Sequence, residues 1–147
     1  MAHRIIVGFE PHPGLLDAIQ SALPGQQTEI VTATDDEALA QALPGADILF
    51  GLRLNADLMP LTGSLQWIQT LSASVDNLIS PALIESDIVV TNASGAHASQ
   101  ISEHVLAMLL AFARNLPGAY RAQLYSRWDA DSLTDHIFEL GGKTLGV

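Results

Sequence analysis

The sequence predicts an α/β fold built on a parallel sheet, and two observations carry this prediction. Short runs rich in β-branched residues alternate with longer stretches in which apolar residues recur at helical spacing. The chain has 147 residues, 48% of them hydrophobic, which is enough to bury a core. Strands joined through helices pair in parallel, and right-handed crossovers place the helices on both faces. We therefore expect a flavodoxin-like, doubly wound sheet of about five strands, with ligands at the carboxyl ends of the strands.

Five runs are predicted to be strands. They are mostly apolar and are bounded by polar residues or by Pro and Gly. In chain order they are residues 4–9, 29–33, 47–52, 65–71 and 87–92.

The four stretches between these runs have helical character. Apolar residues recur at helical spacing in residues 15–23 and again in residues 38–43, and a Pro-Gly pair follows each stretch. Such a pair ends a helix, because Pro cannot continue it and Gly accepts the conformation that closes it.

A longer helix is predicted after the fifth strand, from Ile101 to Arg114. Ser99 is a candidate N-cap, Glu103 falls in the first turn, and Pro117-Gly118 follows the helix. Apolar side chains occupy nearly its whole circumference, so we expect burial on every side. The helix should pack between two bodies, the second of which is not in this sequence.

Composition excludes several classes of partner. The chain has 16 acidic and 6 basic residues, a net charge of -10, which repels nucleic acid phosphates. The longest apolar run, residues 105–113, is too short to cross a bilayer. Cysteine is absent, which excludes thiolate metal sites and nucleophiles, and the N-terminus resembles a first strand more than a signal peptide. We expect a cytoplasmic protein that binds neither nucleic acid nor membrane.

Two function classes that share this topology do not fit the residues. A phosphorelay receiver needs an acidic pair after strand one, an Asp ending strand three and a Lys ending strand five, where this chain has Glu10, Arg53 and Asn92. A flavodoxin needs a hydroxyl- and Gly-rich phosphate loop after strand one, where this chain has "EPHPG".

Three motifs carry a resemblance to a known family. "LQWIQTLSASVDNL", "VVTNASGAHASQISEHVLAMLLAFAR" and "ELGGKTLGV" look like the D-isomer-specific 2-hydroxyacid dehydrogenases. The motifs occur in the family's order, and the resemblance covers most of residues 65–147. Residues 1–64 fit the family only in pattern.

The resemblance implies a division of the chain into three segments. Residues 1–96 would be a substrate-binding domain, residues 97–140 an interdomain crossing helix and dimerisation arm, and residues 141–147 the first strand of a truncated NAD-binding Rossmann domain. It implies NAD or NADP as the cofactor of the complete parent, and a small 2-hydroxy or 2-oxo acid as its substrate. The family's G-x-G-x-x-G loop and its catalytic Arg, Glu and His would follow Val147. We therefore expect this chain alone to hold no catalytic residue, no cofactor and no metal.

The resemblance also places the substrate carboxylate. In the family, the turn after the fourth strand presents backbone N–H groups to it, and the matching residues here are Ala73, Ser74 and Val75. The family commonly has Gly at the position of Ser74, and a positive φ there would strain Ser by roughly 1 kcal/mol. The alternative is an ordinary turn in which Asp76 or Asn77 caps the next segment.

Arg53 is the other substrate-binding candidate. It directly follows the third strand, at an edge where this topology binds ligands, and a guanidinium suits a carboxylate through paired N–H bonds. The alternative is a solvated Arg that pairs with Asp57.

The crossing helix supplies the remaining expectations from the resemblance. His97 and Ile101 are expected to contact the cofactor of the complete parent. The helix from Ile101 to Arg114 and the arm after it are expected to form a homodimer. An alternative reading of the whole chain is a stand-alone, non-catalytic flavodoxin-like binding or interaction module.

Overall fold

The computed structural model describes residues 3–128 and 130–146, and the end of the predicted last strand, Val147, lies outside them. The chain divides into two compact units, Met1–Ala96 and His97–Val147. The roles predicted for residues 1–96, 97–140 and 141–147 remain predictions.

The first unit is built on a five-stranded, all-parallel sheet, which confirms the predicted α/β fold. The strands lie in the order β2-β1-β3-β4-β5, the flavodoxin-like order. All five predicted runs overlap a strand, and the strands are β1 His3–Gly8, β2 Thr28–Thr32, β3 Ile48–Gly51, β4 Trp67–Gln69 and β5 Val89–Thr91.

Helices cover both faces of this sheet. On one face, Ile6, Leu49 and Ile68 are fully buried and lie in register on β1, β3 and β4. They share the core with the helices α2 (Asp36–Ala42) and α3 (Pro81–Ile84). On the opposite face, α1 (Leu15–Ala22) lies beside Phe50 and Trp67.

Side-chain caps explain where two of these helices begin. The Asp35 carboxylate accepts a hydrogen bond from the N–H of Ala38 at 2.8 Å, and so caps α2. Ser80 Oγ accepts from the N–H of Leu83 at 3.2 Å, and Pro81 stands at the first position of α3. Between β3 and β4 the chain forms a 3-10 helix, Ala56–Leu61, with Pro60 inside it.

The second unit consists of helices. They are α4 (Ala98–Ala113), α5 (Leu116–Leu124) and α6 (Ala130–Thr134). The predicted long helix is confirmed, but Ser99 is not its N-cap. The N-cap residue is His97, which caps without a side-chain hydrogen bond, so Ser99 lies in the first turn. Pro117 does not end α4 but occupies the first turn of α5, where its missing N–H is not needed.

The surface of α4 is apolar and open. Only Ala113 is buried on this helix, whereas Ile101 and Phe112 are each 61% exposed and Leu110 is 51% exposed. The side chains of the following arm are exposed as well, and Trp128 is 93% exposed. Monomeric proteins rarely leave so large a contiguous apolar surface in water.

The described residues 141–146 do not form the predicted strand. Gly141 and Gly142 form a turn, closed by a 3.0 Å hydrogen bond from the Lys143 N–H to the Leu140 carbonyl, and residues 143–146 are irregular. A strand gains its hydrogen bonds from a neighbouring strand. The described part of this unit contains no strand with which residues 141–146 could pair. None of the helices in residues 3–128 and 130–146 has the length and apolar content needed to cross a membrane.

Candidate functional site

The loops that follow β4 and β5 are tied together at the carboxyl edge of the sheet. The N–H of Thr70 donates to the Thr91 carbonyl at 2.9 Å, and the N–H of Ala93 donates to the Ser72 carbonyl at 3.0 Å. Asn92 Nδ2 also donates to the Ala73 carbonyl at 2.7 Å. These bonds extend the strand pairing into the loops, so the turn that contains Ala73 is held from the β5 side.

This turn is shaped by two successive serine side chains. Ser72 Oγ accepts from the N–H of Ser74 at 3.3 Å, and Ser74 Oγ accepts from the N–H of Asp76 at 3.0 Å. Hydroxyl groups that accept from the backbone two residues later favour turns over regular structure. The Val75 carbonyl then accepts from the N–H groups of Leu78 and Ile79 at 2.8 and 3.1 Å.

Two of the three predicted carboxylate donors are open. Within the described part of the chain, the N–H groups of Ala73 and Val75 have no hydrogen-bond acceptor. Ala73 is exposed and Val75 is half-buried, so both groups are accessible to a ligand. The N–H of Ser74 is engaged only by the long bond to Ser72. Fixed backbone donors of this kind suit an anionic group, because they need no side-chain ordering.

The backbone of Ser74 is unstrained. The non-glycine residues with positive φ in the described chain are Asn115 and Ser126, so Ser74 avoids the left-handed region. The strain considered for Ser at this position therefore does not arise. The alternative in which Asp76 or Asn77 caps the next segment is wrong, because Ser80 caps α3.

Arg53 follows β3 at the same edge of the sheet but has a different partner from the one considered. Its Nε lies 3.3 Å from the Asp36 carboxylate, so the proposed pairing with Asp57 is wrong. Asn55 Nδ2 donates to the other Asp36 oxygen at 2.6 Å, which orients the carboxylate. The Arg53 and Asp36 side chains are 55% and 49% exposed, so solvent screens this ion pair.

The Arg53 ion pair leaves most of the guanidinium open. Nε pairs with Asp36, and the two terminal nitrogens form no hydrogen bond or ion pair among the described residues. An Arg fork can bind a carboxylate through those two nitrogens. Arg53 and the turn at Ala73–Val75 follow adjacent strands, and no hydrogen bond joins them within the described part of the chain.

His97 and Ile101 belong to the second unit, at the start of α4. The His97 carbonyl accepts from the N–H of Ile101 at 3.0 Å, and both residues are exposed. The cofactor contacts predicted for them remain predictions. In residues 3–128 and 130–146, no group of three or more His, Asp or Glu side chains is placed to hold a metal ion.

Sequence reasoning missed two residues of this edge, Asp36 and Asn92. Asp36 lies in the acidic run 35–37, which predicts a solvated surface, and its contact with Arg53 depends on how α2 packs near the loop after β3. Asn92 ends the predicted run 87–92, and its position predicts only that it lies at the ligand-binding edge. The strand order shows which loop it contacts.

Comparison with curated proteins finds relatives of one kind. The chain is 31% identical over 134 residues to D-3-phosphoglycerate dehydrogenase of Methanocaldococcus jannaschii, an alignment that covers 89% of this chain and 25% of the relative. The rat enzyme of the same name is 26% identical and is covered to 23% of its length. The chain thus spans about a quarter of the length of the curated relatives it matches.

Solved structures share the fold. The D-isomer specific 2-hydroxyacid dehydrogenase family protein of Aeromonas salmonicida matches with a TM-score of 0.69 and 23% identity, covering 86% of this chain and 41% of that one. D-lactate dehydrogenase of Aquifex aeolicus, solved with NAD and lactic acid, has the same TM-score at 19% identity, covering 93% and 41%. At these identities the likeness concerns the fold.

A family model decides the assignment. The model of the D-isomer specific 2-hydroxyacid dehydrogenase catalytic domain matches residues 6–141, which is nearly the whole chain. The three sequence motifs, the strand order and the curated relatives agree with it. The chain therefore belongs to the D-isomer specific 2-hydroxyacid dehydrogenase family.

Proposed function

We propose that this chain is the substrate-binding portion of an oxidoreductase that interconverts a D-2-hydroxy acid and a 2-oxo acid with a nicotinamide cofactor. Membership of the family supports the reaction class. The observation that carries the proposal is the turn at Ala73–Val75, which presents at the carboxyl edge of the sheet two N–H groups without an acceptor among the described residues. Both forms of the substrate have a carboxylate beside the reacting carbon, and this turn would hold it.

The residues of this chain would bind and orient the substrate. The N–H groups of Ala73 and Val75 would donate hydrogen bonds to the carboxylate, and Asn92 would hold the turn in place through its bond to the Ala73 carbonyl. Arg53 would add positive charge at the same edge after exchanging its Nε contact with Asp36 for a ligand. When bound, the nicotinamide would supply hydride transfer. The acid and base groups belong to the rest of the complete protein in this proposal.

The proposal includes the cofactor and the location of the enzyme. Solved neighbours carry NAD or NADPH in their names, so we propose NAD or NADP for the complete protein, contacted by His97 and Ile101. We place the enzyme in the cytoplasm. The absence of cysteine supports this location.

We also propose that α4 and the arm after it form a homodimer. Large side chains along both segments are exposed, including Leu106 at 53%, Tyr120 at 63% and Tyr125 at 68%. A second copy of the same surface would cover them through a two-fold contact. The large exposed side chains of this surface are apolar or aromatic, which favours a protein partner over solvent.

An activity assay tests the proposed reaction. The protein encoded by the complete gene is compared with the 147-residue chain, using nicotinamide absorbance and a panel of acids. The panel contains D-3-phosphoglycerate, D-lactate and D-mandelate, which the names of relatives and neighbours suggest. We expect turnover of at least one acid by the complete protein and none by the chain alone. Absence of turnover by a folded complete protein, or turnover by the chain alone, would contradict the proposal.

A further inference from the structure

Basic residues are concentrated in the second unit. The chain has only six Lys and Arg residues, and four of them lie in residues 97–147, together with five acidic residues. Residues 1–96 contain the other two basic residues and eleven acidic ones. The net charge is therefore -1 for the second unit and -9 for the first, so an anion is repelled far less by the second unit.

Two of the four basic residues share one pocket with a histidine. A cavity of about 420 Å³ lies within the second unit, and Arg121, Arg127 and His136 line it. Asp131 and Asp135, the carboxylates of α6 and its following turn, are exposed but do not line the cavity. The described lining is thus positive or neutral in a strongly acidic chain.

The end of α5 brings the two arginines together. The N–H of Arg127 donates to the Ala122 carbonyl at 2.9 Å, and the N–H of Ser126 donates to the Gln123 carbonyl at 3.0 Å. Ser126 has a φ of 50°, in the left-handed region. This is a Schellman-type helix end, which folds the chain back toward the helix. Arg127 consequently lies at the same pocket as Arg121, which is still on α5.

The other wall is fixed by α6. Asn115 Nδ2 donates to the Leu133 carbonyl at 3.1 Å, which joins the start of α5 to α6. His136 Nδ1 lies 3.1 Å from the Ser132 carbonyl, so its Nε2 is the nitrogen left for another partner. A protonated His136 would donate from Nε2.

Among the described residues, the two guanidinium groups have no carboxylate partner. In residues 3–128 and 130–146, neither Arg121 nor Arg127 forms an ion pair, and Arg127 instead lies 5.8 Å from the centre of the Tyr125 ring. Like charges at one pocket repel each other, and a bound anion would relieve that repulsion. Each guanidinium can also bind a phosphate or carboxylate through two parallel hydrogen bonds.

We propose that this pocket binds a small dianion, either a phosphate or a dicarboxylate. The volume of about 420 Å³ accommodates a small molecule that carries its charge at the arginines. The site is independent of the turn at Ala73–Val75. If the pocket bound no anion, the proposed dehydrogenase function would therefore be unaffected.

Titration of the 147-residue chain tests the site. Inorganic phosphate and succinate are added separately at constant ionic strength, and binding is followed by amide chemical shifts and calorimetry. We expect saturable binding of at least one of the two, with the shifts centred on residues 115–136. The two probes separate the phosphate source from the dicarboxylate source.

Three charge-neutralising variants make the test specific. Arg121→Gln and Arg127→Gln should each weaken binding by roughly tenfold, the usual effect of losing a charge-assisted hydrogen bond. Arg114→Gln is the matched control, because Arg114 is exposed in the same unit but does not line the pocket, and it should change affinity by less than about twofold. Equal losses in all three variants, or no saturable binding of either probe, would overturn the proposal. Unfolding curves confirm that each variant is folded before it is titrated.

Discussion

The turn proposed to hold the substrate carboxylate depends on Asn92, and Asn92→Ala removes that support. Asn92 Nδ2 donates to the Ala73 carbonyl at 2.7 Å, and Asn92 Oδ1 accepts a longer bond from the Ser94 N–H at 3.3 Å. A net hydrogen bond contributes about 0.5–1.5 kcal/mol, and because Asn92 is exposed we expect a loss of about 0.5–1 kcal/mol. With a urea dependence of about 2 kcal/mol per molar, the midpoint should fall by about 0.3–0.5 M.

Urea unfolding followed by circular dichroism measures this loss, and Asn77→Ala is the matched control. Asn77 lies in the same loop and is exposed, and its side chain makes no hydrogen bond within the described chain, so the control should stay within about 0.5 kcal/mol of wild type. Hydrogen exchange gives a local readout. The N–H of Ala93, which donates to the Ser72 carbonyl at 3.0 Å, should exchange faster in Asn92→Ala only. Identical midpoints and exchange rates in both variants would show that Asn92 does not hold the turn.

Three further predictions concern the core, the ion pair and the apolar surface. Ile68→Ala, at a fully buried position, should lower the free energy of unfolding by about 3 kcal/mol, whereas Ile84→Ala, at a position 68% exposed, should change it by less than about 0.5 kcal/mol; urea unfolding measures both, and equal effects would refute the assigned core. Asp36→Asn frees Arg53 from a half-exposed ion pair worth at most about 1 kcal/mol. The affinity for D-lactate should therefore rise by up to about fivefold, which an amide-shift titration measures. An unchanged or lower affinity would show that Arg53 does not bind the substrate. Leu110→Glu should convert a wild-type dimer to a monomer in light scattering at micromolar concentration, and a stable wild-type monomer would refute the dimer.

The sheet was predictable from the sequence because each strand carries its own local signal. The runs around Ile6, Leu49 and Ile68 are short, apolar and bounded by turn residues, and the rules for parallel crossovers then leave few topologies. The strand order in the structure follows those rules. The long helix was equally clear, since apolar residues fill its circumference.

The ends of elements were harder to predict because they depend on individual hydrogen bonds. Ser99 has the residue type of an N-cap, but the helix already begins at Ala98, so the N-cap lies two residues earlier, at His97. The segment 141–146 has the composition of a strand, yet strand formation requires a pairing partner and not composition alone.

The ion-pair partner of Arg53 could not be predicted from the sequence either. Asp57 is four residues away along the chain, while Asp36 is seventeen residues away and reaches Arg53 through the packing of α2. Asn55, two residues after Arg53, holds the same carboxylate at 2.6 Å. Local spacing therefore identified the charged residue but not the contact that it makes.

The most direct test of the central claim is to map a 2-hydroxy acid onto the amide groups of this chain. D-lactate is titrated into the 147-residue chain, and D-lactamide, which lacks the carboxylate, is the matched control. We predict saturable shifts of the Ala73, Ser74 and Val75 amides with D-lactate in the millimolar range, and none with D-lactamide. If both compounds shifted the same amides, or if D-lactate left the turn unchanged, the turn would not be the carboxylate site.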